Sequence, residues 1–278
     1  MLQNMFEQVF GIDLMYEISD SLQKNLFSTT GDYSTAFSMV KTLYDNVVVP
    51  VALMLMVIYF LIGLMDKMTS ENFTWEQMAR QFCMLLASFF LINYGLDILD
   101  KLFQIGLIFV GDATTAVEGF LGGLGGGADA NALYENFKNE VKLGDIEIFN
   151  NIIRFAYLLL PWALSWILGL CVKIIVYSRV IEIYLRAAYA PIALSDFFQN
   201  GFQGAGWSSL KNFLAICLQG AFIFGIAALF TALSDVVWDS PSFTGFFASM
   251  GVHLALLCSA VMLMFRSLSL AKEMVGSR

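Results

Sequence analysis

Residues 93–104 read NYGLDILDKLFQ, set between FCMLLASFFLI (82–92) and IGLIFV (105–110). The fold turns on whether Asp97, Asp100 and Lys101 end a membrane span or ride within a longer helix. No proline occurs between Pro50 and Pro161, so the helical pattern predicts a rod that runs through the charges. At 1.5 Å per residue, Arg80 to Asp97 covers about 25 Å and Arg80 to Lys101 about 31 Å, close to the far edge of a roughly 30 Å hydrocarbon core. LFQIGLIFV then carries the helix on for about 13 Å, and an apolar end outside lipid has to be covered by protein. Asn93, Asp97, Asp100, Lys101 and Gln104 fall at i, i+4, i+7, i+8 and i+11, a single polar stripe. Asp97 and Lys101 stand in the favourable order for an i,i+4 ion pair. Such a stripe either lines a wet path or joins neighbouring helices.

The rest of the chain sets that rod in lipid. Of 278 residues 58% are hydrophobic and 14% charged, against about 45–50% and 25% in soluble domains. The expected fold class is an all-α polytopic membrane protein. A net charge of −8 excludes a nonspecific nucleic-acid binder, which needs a basic surface. Residues 1–20 hold Glu7, Asp13, Glu17 and Asp20 and no basic residue, so no cleavable signal is expected. Cys83, Cys171, Cys217 and Cys258 each lie in an apolar run and read as small buried hydrophobes.

About five spans are expected, near 46–65, 80–110, 152–175, 212–234 and 243–265, in a transmembrane domain 46–265. The first, NVVVPVALMLMVIYFLIGLM, carries no charge. The second opens on a capping box, Thr74 to Gln77, with Phe73 and Met78 as a hydrophobic staple. The third, FAYLLLPWALSWILGLCV (155–172), continues without a strong breaker into KIIVYSRVIEIYLRAAYA. Arg179, Glu182 and Arg186 share a face there at i, i+3 and i+7. Two helices are thus expected to extend beyond the bilayer. His253, inside the fifth span, reads as a packed histidine bonded to a neighbouring helix rather than a proton relay.

Residues 112–150 read as a polar, acidic loop opening on GFLGGLGGGADANA (119–132), where Phe120, Leu121 and Leu124 can dock on lipid or a partner. Residues 1–45 read as an extracytoplasmic region. Its Leu2, Phe6, Val9, Ile12, Met15, Ile18, Leu22 and Leu26 make an amphipathic helix with an acidic opposite face, suited to a partner more than to anionic lipid. Loops 66–80 and 173–211 and the tail 266–278 hold nine Lys and Arg, against five on the other side. The positive-inside rule then puts the amino terminus outside, with the 174–211 segment and the tail cytoplasmic.

GxxxxGK[ST], HExxH and GxSxG are absent, and there is one histidine. No catalytic residue, metal site or cofactor is expected, and the chain does not read as an enzyme. Lys101 would keep Asp97 and Asp100 ionised, which blunts acid/base chemistry.

SRVIEIYLRAAYAPIALSDFF (178–198), GFQGAGWSSLKNFLAICLQGAFI (201–223) and NFTWEQMARQF (72–82) resemble the TrbL-like inner-membrane components of type IV secretion and conjugation systems, in the form found on Gram-positive integrative elements. The resemblance implies a multi-pass protein of the bacterial cytoplasmic membrane without nucleotide hydrolysis of its own. It also implies self-association around a central path, contact with other secretion-channel subunits and membrane lipids, and energy from separate ATPases. A DNA–protein substrate would be a transient partner. No counterpart of the long extra domains of Gram-negative relatives is expected within these 278 residues. Two other readings stand beside this one: a self-contained small-solute transporter, for which no internal repeat is visible, and a purely structural membrane scaffold.

Overall fold

The computed structural model describes residues 21–68, 75–123, 137, 147–196, 204–239 and 246–276. Among these residues the chain is helical, without a strand. Helix α1 is Ser34–Leu43, followed by a π-helical segment, Tyr44–Val48, and α2, Val49–Met68. Then come α3 Trp75–Asn93, α4 Gly95–Gly123, α5 Glu147–Ser195, α6 Ala205–Asp239 and α7 Phe246–Val275. Four stretches are long and apolar enough to cross a membrane: Ser34–Asp66, Ile153–Ser195, Ala205–Ser234 and Ala248–Val275. Met78–Asn93 and Gly95–Ala116, bent by 65° at the break, make a fifth if the pair crosses as one. This is the all-α polytopic architecture that composition predicts.

The helices run further than hydropathy marks them. α1 starts at Ser34, well before 46, because nothing from there to Leu43 breaks a helix and Phe37 and Tyr44 have cores to enter. α4 continues to Gly123, so 112–123 is helical where a loop was expected. α7 passes Arg266 and ends at Val275, so most of the expected tail is helix. The start of α6 is capped by Asp196, whose Oδ2 accepts the Ala205 N–H at 2.7 Å. The 49 residues of α5 reach about 73 Å, more than twice a hydrocarbon core. Pro161 and Pro191 lie within it.

The chain forms two compact units. One comprises Met1–Lys24, Phe109–Tyr177 and Gly220–Ser267. Its core gathers Val110, Val172, Ile223, Phe224 and Met264 around Leu22. Gln23 Nε2 donates to Thr114 Oγ1 at 3.1 Å, and Thr114 bonds back to the Val110 carbonyl.

The other unit comprises Asn25–Ile108, Ser178–Gln219 and Leu268–Arg278. Phe27 is its hub, with ring centroids 5.3 Å from Phe103, 5.8 Å from Phe37, 6.3 Å from Tyr184 and 6.5 Å from Phe213. In lipid, where no hydrophobic drive joins helices, such interlocking counts. Aromatic pairs contribute about 0.5–1.5 kcal/mol each. Tyr184 Oη donates to the Leu26 carbonyl at 2.7 Å.

The two cores correct one expectation. Leu22 and Leu26, part of the amphipathic series assigned to a partner, are buried in the chain's own cores. Leu26, Phe27 and Phe37 share one core with Tyr184, Ala187, Ala190 and Phe213, and Leu268 packs against it. The cysteines differ too: Cys217 is buried, Cys171 and Cys258 are half-buried, and Cys83 is exposed.

Candidate functional site

The second helix does not run straight through 93–104. It breaks at Tyr94, and the break has a visible cause. In an unbroken helix the Leu96 N–H would bond the Ile92 carbonyl. Instead, buried Tyr44 reaches in from the π-helical segment and takes both partners. Its Oη donates to the Ile92 carbonyl at 2.8 Å and accepts the Leu96 N–H at 3.1 Å. A side chain inserted into the ladder is a known origin of sharp kinks. The ladder continues on either side, with Tyr94 N–H on the Phe90 carbonyl and Ile98 N–H on the Tyr94 carbonyl. Gly95 makes the room, since a Cβ there would lie 2.6 Å from Tyr44 Oη and 3.2 Å from Leu194 Cδ1.

The elbow divides the polar stripe. Asn93 stays on α3, exposed, and its Nδ2 donates to the Phe89 carbonyl of its own helix at 2.8 Å. Asp97, Asp100, Lys101 and Gln104 ride on α4. Asp97 and Lys101 are exposed, and the bond within the stripe runs from Gln104 Nε2 to Asp100 Oδ2 at 2.9 Å rather than between those two charges. Asp100 Oδ1 is buried and has no hydrogen-bond partner among the described residues.

On α5 the three charges part company. Arg186 donates Nε and Nη2 to Glu182 Oε1 at 3.1 and 2.7 Å, an i,i+4 pair. Arg179 instead turns into the protein, 3% exposed, and donates Nε to the Ile216 carbonyl and Nη2 to the Cys217 carbonyl, both at 3.2 Å. A Cβ on Gly106 would sit 2.9 Å from both Cys217 Cβ and its carbonyl oxygen. α4, α5 and α6 therefore meet at one backbone carbonyl.

Away from the elbow, His253 Nδ1 lies 2.8 Å from Ser234 Oγ on α6, against the Phe230 ring, as a packed histidine should. Phe120 and Leu121 fall on the last turns of α4, on helical backbone. Leu2, Phe6, Val9, Ile12, Met15 and Leu124 lie outside the described residues. Tyr44, Gly95 and Gly106 escaped the sequence reading. The glycine inside the polar stripe was the one local hint of a break.

No curated protein and no solved structure matches the chain. Residues 21–191 match the family described as TrbL/VirB6 plasmid conjugal transfer like protein. The match takes in NFTWEQMARQF and the first part of SRVIEIYLRAAYAPIALSDFF and stops before 201–223. It covers more than half of the chain and agrees with the apolar helices of a multi-pass protein of the cytoplasmic membrane. The chain belongs to the TrbL/VirB6 plasmid conjugal transfer-like family and is a membrane component of conjugal transfer.

Proposed function

We propose that the chain is a channel or scaffold subunit of a conjugative type IV secretion apparatus. It works as an oligomer, beside other channel subunits and powered by separate ATPases, and helps a DNA–protein substrate across the cytoplasmic membrane. The observation that carries this reading is on α4. Asp97 and Lys101 are exposed on a largely apolar helix that also carries Asp100, Asp112 and Glu118, and among the described residues neither of the two has a hydrogen bond or ion pair. Charges so placed in a membrane face water or a neighbouring subunit.

The outward face of α5 points the same way. Leu160, Ile167 and Ile174 in one unit and Ile181, Leu185 and Ile192 in the other are apolar and exposed, on a helix whose 49 residues are more than twice the roughly 20 that cross a hydrocarbon core. In this reading Leu2, Phe6, Val9, Ile12 and Met15, with Phe120, Leu121 and Leu124, dock on partner subunits or lipid.

The test replaces the chain in conjugating cells with Asp97→Lys or Asp100→Lys variants. Transfer is expected to fall to the background of cells lacking the chain, while cross-linked complexes persist. Undiminished transfer would refute the role of the stripe. One feature favours a self-contained transporter, namely the broken α3–α4 pair, since discontinuous helices build solute sites. Solute uptake by the purified chain in liposomes would establish that reading instead.

A further inference from the structure

We propose that the Tyr44 hydroxyl is the pin of a hinge, and that the elbow at Tyr94 is one of two states of this helix pair. In the bent state a single phenol oxygen stands in for one backbone hydrogen bond. It accepts from Leu96 and donates to Ile92, so neither of those two backbone groups is stranded. In a straight state those same two groups bond each other, and again none is stranded. Both states satisfy that pair, and what decides between them is the position of one side chain.

Nothing covalent fixes the bend. No proline lies between 75 and 160. The bonds flanking the break already have helical spacing. The residue at the break, Gly95, tolerates either geometry and gives the hydroxyl its space.

The pin also has a means of withdrawal. Tyr44 is the first residue of the π-helical segment, which holds one residue more per turn than an α-helix. Relaxing that segment to α-helix turns one flank against the other by about 100°, the rotation of one residue. Such a turn would swing the Tyr44 ring out of the break.

Straightening changes what the chain presents. Asn93 would line up with Asp97, Asp100, Lys101 and Gln104, whereas the 65° bend parts it from them. The hinge thus sets whether the stripe is continuous. It is a property of the fold and holds whether or not a substrate passes along the stripe.

Pulsed electron–electron spin resonance on the full chain in lipid nanodiscs tests this. Spin labels go on exposed Cys83 and on Ile108→Cys, with Cys171, Cys217 and Cys258 changed to Ala. With the observed bend the helix axis between the labels spans about 32 Å, and straightened it spans about 38 Å. The chain with Tyr44 intact is expected at the shorter distance. Tyr44→Phe keeps the ring, loses the hydroxyl, and is expected to move the population about 6 Å longer, the difference between those two rods. Tyr59→Phe is expected to leave it in place. A Tyr44→Phe distance unchanged from the parent overturns the proposal. Should that variant fail to fold, Gly95→Ala, which displaces the hydroxyl from the other side, carries the same two outcomes.

Discussion

The Cys217 carbonyl joins three helices through one atom, receiving the Arg179 guanidinium while Gly106 lies against it. A hydrogen bond from a charged group contributes about 1.5–3 kcal/mol, and lysine lacks the planar fork that reaches two carbonyls, so Arg179→Lys should destabilise by about that much. Gly106→Ala forces a Cβ against backbone and should cost about 1–3 kcal/mol. Because both act on one carbonyl, the double variant should lose less than the sum, as read by thermal unfolding of the purified protein. Strict additivity would show that the two contacts are independent. Arg179 was legible as part of a charged face but not as a clamp. Spacing tells which residues share a side of a helix, not which carbonyl waits opposite, and Ile216 and Cys217 lie nearly forty positions away.

Hydrophobic period and charge-free length marked every candidate span, because those signals are local to the helix that carries them. Helix ends and breaks depend on the rest of the chain. The α3–α4 elbow could not be read from 93–104, since its cause is a tyrosine 48 positions before Ile92. α5 was legible as overlong for the simple reason that its pattern never stops, and it carries Pro161 and Pro191 without ending. The bent pair should cross the membrane as one span. Cysteines introduced at Ser70 and Ala130 should then react with impermeant thiol reagents from opposite sides. Labelling from the same side would make the pair a re-entrant loop and leave four spans.

At the scale of the whole molecule, two features stay exposed among the described residues: Asp97 and Lys101 on α4, and apolar side chains along α5, a helix with more residues than a bilayer core needs. The sequence anticipated the length of α5; within the stripe it offered an Asp97–Lys101 pair, and the bond observed runs from Gln104 to Asp100 instead. It misassigned Leu22 and Leu26, because amphipathicity predicts that a face will be covered and not by what. The positive-inside count puts residues 1–45 and 174–211 on opposite sides, and it is silent on packing such as that of Leu26 and Phe27 with Ile183 and Tyr184. It weighs charge in loops, whereas Arg179 lies inside the protein. The claim that this subunit works only in company is tested most directly by a photo-reactive residue at Ile181, on the exposed face of α5. In conjugating cells irradiation should yield cross-linked species larger than one chain. Recovery of the single chain alone, from cells that still transfer DNA and again after purification in mild detergent, would contradict the account.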